Sequence, residues 1–458
     1  MSIRQDRKSW WLIPTAVVLV IALLLSGACA EKEPEEEIAV VKQENFAVVK
    51  AQYPQTVKYP FIGENYDYSE EQYRAWIEDR EKRRDQPEGY TDGLDRFFAE
   101  SSKQFLTDSE GENRIYSPVN VYMALCMLAE VTDGESREQI LDLLGKESIE
   151  ELRAQSSAVW NANYLNDGAV TSILASSLWL DEDINYLKPT LENLAKYYMA
   201  SAYSGEMGSA QYDEALREWL NEQTGGLLEG QTENISLDPN TVMALATTVY
   251  FNAKWSDTFS PDFTQTGIFH AASGDTECEF MKQSGARNYY WSDKFSAVVQ
   301  GLEEYGGMWL ILPDEGVTVD ELLENGSVNE FIMSQGRETD YRHIIVNLSM
   351  PKFDVSSQMD LSEGLKALGV TDVFDGCASD FSPMTDEVGG IFLSQVSHAA
   401  RVEVDEEGCT AAAFTVMMAC GAAMPPEEEV DFVLDRPFIF AITGESGLPL
   451  FIGIVNNV

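Results

Sequence analysis

From Thr91 onward the apolar positions recur with periods that alternate between helix and strand. Leu94, Phe97, Phe98 and Phe105 share one helical face. Ser117-Pro118 places a hydroxyl cap and a first-turn proline before a helix that runs through Leu128. A short helix follows over Ser136 to Leu144 and stops at Gly145. Ile173 to Leu180 has strand character, and Leu187 to Tyr198 and Tyr212 to Gln223 have helical periodicity, the latter closed by Thr224-Gly225-Gly226. Thr241 to Trp255 is long and nearly uncharged, as expected of a central strand buried on both faces. Further strands are predicted near Met308–Leu312, His343–Phe353 and Ile391–Val404, then across Phe432 to Val455 with a turn at Gly444–Gly447. Early helices followed by mostly antiparallel strands predict an α+β domain over residues 91–458.

One stretch fits neither a core strand nor a surface loop. Val402-Glu403-Val404-Asp405 alternates like a strand, but Gly408 to Pro426 then carries no charge, in a chain that is 24% charged overall. Small residues surround Phe414, Val416, Met417 and Met418, and Pro425-Pro426 ends the run. Surface loops are usually polar and core strands shorter, so this segment reads as a strand without a sheet of its own.

Charge and end signals narrow the setting. Across 458 residues, 77 acidic side chains outnumber 31 basic ones for a net charge of −46, which argues against a nucleic-acid partner because phosphate binding needs a basic face. Residues 1–29 read as a targeting segment: Arg4, Arg7 and Lys8 precede an apolar run from Trp10 to Leu25. Leu25-Ser26-Gly27-Ala28-Cys29 resembles a bacterial lipobox in which Cys29 is lipidated; ordinary cleavage near Ala28-Cys29-Ala30 and an uncleaved anchor are the alternatives. The expected location is the outer face of a bacterial cell membrane as a lipoprotein, or secretion. Residues 30–90 read as an acidic linker, beginning with Glu31-Lys32-Glu33-Pro34-Glu35-Glu36-Glu37, and a collar with a polar helix over Ser69–Arg84.

No enzyme signature stands out. The cysteines Cys126, Cys278, Cys377, Cys409 and Cys420 are scattered without a C-x-x-C pair, so neither a disulfide framework nor a zinc site is expected. The three histidines, His270, His343 and His398, lie outside any H-E-x-x-H, and G-x-S-x-G, P-loop and dinucleotide fingerprints are absent. No cofactor is expected. Surface binding without effect on any protease is a competing class.

Several landmarks, in order, resemble the serpin family of serine protease inhibitors. Asn113-Arg114-Ile115-Tyr116-Ser117-Pro118-Val119-Asn120, then Trp219-Leu220-Asn221 with Thr224-Gly225, then Val249 to Trp255, then Leu368-Gly369-Val370 with Phe374 and Ser394 to His398 fall at family spacing. Glu406-Glu407-Gly408-Cys409-Thr410-Ala411-Ala412-Ala413 resembles the hinge of the reactive-centre loop, and Arg436-Pro437-Phe438 resembles the strand start beyond it. The resemblance implies a serpin fold, with a large, mostly antiparallel central sheet, about nine helices and an exposed reactive-centre loop.

It also implies site residues. Counting from the hinge places the scissile bond at Ala422-Ala423, with Gly421-Ala422 and Ala423-Met424 as neighbouring registers. An alanine suits the small pocket of elastase-like or subtilisin-like serine proteases and cannot neutralise the acidic pocket of trypsin-like ones. Ser117, Asn120, Thr247 and His398 match the central shutter, where Asn120 and Thr247 stand in place of the usual serine and asparagine. An amide and a hydroxyl exchanged in this way can still satisfy each other. Lys352 matches the position that pairs with the hinge glutamate, here Glu406, with Trp255 nearby. The implied action is that of a suicide substrate on a monomer, with polymerisation through the uncharged strand as a hazard. A non-inhibitory binding serpin is the alternative; such members tend to carry charged, bulky or proline residues in the hinge, and neither a charge nor a proline lies between Gly408 and Ala423.

Overall fold

A computed structural model describes residues 43–60, 69–226, 235–387, 389–393, 396–409, 426 and 428–458. Two sheets carry the architecture. The first runs in the spatial order β1 (Ala47–Val49), β5 (Ala200–Gly205), β4 (Val170–Asp181), β6 (Met243–Lys254), β14 (Gly408–Cys409), β13 (Ser397–Val404) and β12 (Phe353–Asp360), with β3 (Leu165–Asn166) on β4. The second runs β15 (Glu429–Val433), β11 (Asp340–Pro351), β8 (Gly274–Trp291), β9 (Phe295–Gly301), β10 (Gly307–Pro313), β16 (Phe438–Thr443), β17 (Pro449–Val455) and β2 (Arg114–Tyr116), with β7 (Gln265–Ala271) on β8. Only the β4–β5 and β11–β15 ladders are parallel among the described residues.

Ten α-helices surround the sheets among the described residues: α1 (Glu70–Arg84), α2 (Leu94–Leu106), α3 (Pro118–Val131), α4 (Gly134–Leu143), α5 (Ile149–Asn163), α6 (Lys188–Tyr197), α7 (Ala210–Gln223), α8 (Val319–Glu324), α9 (Ser327–Ser334) and α10 (Ser362–Ala367). The α3 helix starts where the sequence places it. Ser117 Oγ accepts the Asn120 amide, Pro118 occupies the first turn, and the helix is buried almost all round. It is the axis of the core between the sheets.

One buried carboxylate ties α3 to α5 and α6. Glu130 on α3, 3% exposed, takes both nitrogens of a bidentate Arg153 contact at 2.8 and 2.7 Å from α5. It also accepts Asn193 Nδ2 at 2.9 Å and Tyr198 Oη at 3.0 Å. Every lone pair with a partner is the condition under which a buried charge is tolerated.

Two elements differ from the sequence expectation. The strand β6 is only half-buried along most of its length, because β4 pairs with one of its edges and only β14 with the other. Residues 43–60 and α1 are packed against the body, where a collar would be solvated. Here β1 adds to β5, Tyr53 packs on Trp160 and Tyr164, and Trp76 is 1% exposed. A helix with four apolar side chains in fifteen reads as solvated, so its two buried residues, Trp76 and Arg80, give no periodic signal.

Removing one member of the Glu130 cluster leaves the others desolvated and unpaired. Glu130→Ala is expected to destabilise the fold by about 3–5 kcal/mol, against a smaller loss for Glu130→Gln. Urea unfolding followed by tryptophan fluorescence checks this; a Glu130→Ala midpoint equal to the parent's would refute the account.

Candidate functional site

The described part of the hinge is a tight turn that enters the first sheet. Asp405 Oδ1 accepts the amides of Glu407 at 2.9 Å and Gly408 at 3.1 Å, folding the chain back after β13. Gly408 then pairs with Lys254 and Cys409 with Ala253 on β6, while Cys409 faces Val404 on β13. Only glycine fits at 408, since a Cβ there would stand 2.3 Å from the Ala253 carbonyl oxygen. Beyond β14, no ladder joins β6 to β13 among the described residues. Two strand edges therefore face each other across a seam that Gly408 and Cys409 have begun to fill.

The turn is fastened from three directions. Trp255, 1% exposed, donates Nε1 to the Asp405 carbonyl at 2.9 Å and its main-chain N–H to Glu407 at 3.0 Å. Phe259 donates its amide to the Glu406 carbonyl at 2.9 Å. Lys352 Nζ lies 2.9 Å from Glu406 Oε1 and 3.0 Å from Glu279 Oε2, and Thr264 Oγ1 donates to Glu406 at 2.8 Å. Burial pushes the Glu406 carboxyl up, but the Lys352 and Thr264 hydrogen bonds prevail and hold it below the usual range. The hydrogen bond to Glu406 raises the Lys352 ammonium in turn. With Lys352 a third exposed, the pair contributes about 1 kcal/mol or less.

The shutter residues meet beneath the same sheet. The Ser117 main-chain N–H donates to His398 Nε2 at 3.2 Å, which requires that nitrogen unprotonated. Burial holds the imidazole down at about 4, and the ring stands edge-on to Tyr116. Asn120 Nδ2 reaches Thr247 at 3.3 Å, but the acceptor is the main-chain carbonyl and the link thus does not depend on the threonine side chain. Of the other expected site residues, Thr410, Ala411, Ala412, Ala413, Ala422, Ala423 and Cys29 lie outside the described residues. Glu279, Thr264 and the Asp405 turn are functional neighbours that sequence reading missed. Asp405 carried a usable signal, an aspartate three residues before a glycine. Glu279 and Thr264 carried none, because cross-strand and loop contacts leave no spacing in the chain.

Two outcomes follow from this geometry. Between pH 6.5 and about 4 the unfolded chain protonates His398 while the folded chain resists it, so stability is full above pH 6.5 and falls as pH drops toward 4, by about 3 kcal/mol. Urea titrations at several pH values should show that slope, and His398→Gln should flatten it; an unchanged slope in the variant would assign it to other groups. Second, Cys409 is buried and Cys377 exposed, so iodoacetamide should label Cys377 before Cys409. Loosening the latch with Lys352→Ala should speed Cys409 labelling about fivefold, read by peptide mass spectrometry. Equal Cys409 rates in parent and variant would separate the latch from hinge seating.

Residues 93–458 match the family model described as Serpin (serine protease inhibitor). Serpin-Z2B of Triticum aestivum is 29% identical over 365 residues, covering 76% of this chain and 91% of that relative. Serpin-Z2A of Oryza sativa subsp. japonica is 29% identical over 398 residues, covering 76% and 92%. Among solved structures, the thermophilic serpin Tengpin superposes in its native state with a TM-score of 0.72 at 28% identity, over 81% of this chain and 95% of that one. Its latent state gives 0.68 at 26% identity, over 81% and 98%.

Proposed function

The chain belongs to the serpin family, and from that premise we propose that it is a suicide inhibitor of serine endopeptidases with a small specificity pocket. The seating of Gly408 and Cys409 between β6 and β13, which share no ladder of their own among the described residues, is the observation that carries this reading. A protease serine attacks the Ala422 carbonyl, the Ala422–Ala423 peptide bond breaks, and Ala423 leaves with a free amine while an ester joins Ala422 to the protease. The released segment, already anchored at Gly408, adds to the edges of β6 and β13. From Gly408 to Ala419 it would extend for about 40 Å.

The side chains permit this. Cys409, Ala411, Ala413, Thr415 and Met417 alternate onto one face, and none would bury a charge. Insertion gains main-chain hydrogen bonds along both seam edges, and trapping wins only if it outpaces hydrolysis of the ester. An alanine before the scissile bond supports elastase-like and subtilisin-like targets. The lipobox ending in Cys29 supports a lipid-anchored protein at the outer face of a bacterial membrane, with the acidic stretch after it as a spacer.

Mixing the protein with an elastase or a subtilisin should give a covalent, protease-sized upshift on a denaturing gel and a released peptide beginning at Ala423. Loop cleavage without the upshift would make the protein a substrate of that enzyme. Failure to trap any small-pocket protease would sink the inhibitory reading.

A further inference from the structure

The helix α1 lies outside residues 93–458, yet it grips the part of the molecule that receives the hinge. Its Arg80 is 3% exposed and reaches three groups from three separate turns. One nitrogen of the guanidinium lies 3.4 Å from Asp167 Oδ2, in the turn between β3 and β4. The other contacts the Glu304 carbonyl, between β9 and β10, and the Glu445 carboxylate, between β16 and β17. Trp76, one helical turn earlier, donates Nε1 to the same Asp167 oxygen at 2.9 Å, and Arg80 stacks over its ring. Arg84, one turn later, holds Glu445 through two nitrogens at 2.7 Å each.

Two of the gripped turns are linked by hydrogen bonds to β6, the strand that pairs with the hinge. Asp167 is 0% exposed, and its Oδ1 accepts the amides of Ala169 at 3.0 Å and Val170 at 2.9 Å. Val170 pairs with Ala253, and Ala253 pairs with Cys409. On the other side, Glu303 donates its amide to the Lys254 carbonyl at 2.8 Å, and Lys254 pairs with Gly408. Arg80 is thus two pairing steps from the hinge along one route and adjacent to the Lys254 contact along the other. All of these contacts are made with β14 seated between the end of β6 and β13, so they stabilise that arrangement relative to any in which the turns move.

We propose that Arg80, clamped by Trp76 and α1, is a positioning residue that fixes the end of β6 against which β14 is seated and so keeps the entry between β6 and β13 ready to accept the cleaved loop. Its guanidinium suits the task because a planar fork can bind three oxygens in fixed directions, which an ammonium cannot do. The clamp acts on insertion and leaves the protease's attack on the loop untouched. The inference rests on the inhibitory reading above.

The test compares the parent protein, Arg80→Ala, Arg80→Lys and Trp76→Phe against one protease that the parent traps. Loss of one charged hydrogen bond should slow insertion roughly tenfold. Arg80→Ala should therefore divert most encounters to cleaved, untrapped product, raising the moles of inhibitor consumed per mole of protease several-fold while the rate of loop cleavage stays the same. Arg80→Lys should recover only part of the loss. Trp76→Phe keeps an aromatic ring under Arg80 and deletes the indole N–H, so it should shift the partition in the same direction at a smaller cost in stability than Arg80→Ala, and it serves as the readout if Arg80→Ala does not fold. An unchanged partition in Trp76→Phe and in any folded Arg80 variant would overturn the proposal. So would spontaneous loop insertion in these variants without protease, since that would mean the clamp holds the seam shut. Failure of the parent to trap any protease would instead count against the inhibitory reading itself.

Discussion

Main-chain hydrogen-bonding groups along two strand edges are the constraint on which this structure turns. β6 is paired on one side by β4, and β13 on one side by β12. Their facing edges share only Gly408 and Cys409 among the described residues. An unmet N–H or C=O is costly when removed from water, and a further strand would satisfy both edges at once. The seam therefore favours extension of β14 along it. What restrains that extension is covalent: the chain after Cys409 must return to β15 at Glu429, which pairs with β11 in the second sheet. In the inhibitory reading proposed above, cutting the connection removes the restraint, and edge groups that meet no ladder partner among the described residues supply the direction.

The elements around the seam divide into those that start the strand and those that hold its partners. Gly408 and Asp405 make the turn, Trp255 and Phe259 bind its carbonyls, and Lys352 holds its side chain. No single one of these is strong. A partly exposed ion pair and a handful of main-chain hydrogen bonds, each contributing about 1 kcal/mol, seat the hinge without locking it. The shutter is different in kind, because His398 on β13 and Asn120 on α3 are both buried in the core, where an unpaired group costs more than a pair gains.

The legible parts of this arrangement are those with local chemistry. β6 announced itself by a long uncharged run, α3 by its serine–proline start, and the hinge by a loss of charge that no ordinary loop shows. The Lys352–Glu406 pair was legible only through the serpin resemblance, since 54 residues separate the two and neither has a distinctive neighbour. The full burial expected of β6 was the natural inference from its composition, and it differs from the structure because an apolar strand can equally be one that awaits a partner. The helix over residues 70–84 was legible, but its docking was not, for a plainer reason. Arginine in a charged helix reads as solvated, and burial of Arg80 depends on Asp167, Glu304 and Glu445, which lie 87, 224 and 365 positions away.

The charge balance gives those few cations their weight. With 31 basic groups against 77 acidic ones, most carboxylates must stay in water, and interior carboxylates draw on a short supply. Glu130 is met by Arg153, Asp167 and Glu445 by Arg80, and Glu406 by Lys352. Each of these pairs joins segments distant in the chain: α3 to α5, α1 to turns of both sheets, and β14's turn to the residue that links β11 and β12. A repulsive surface makes the compact state harder to hold. Placing cations at junctions, where each one neutralises a buried acid and fixes two elements, counters that repulsion where it would otherwise loosen the seam.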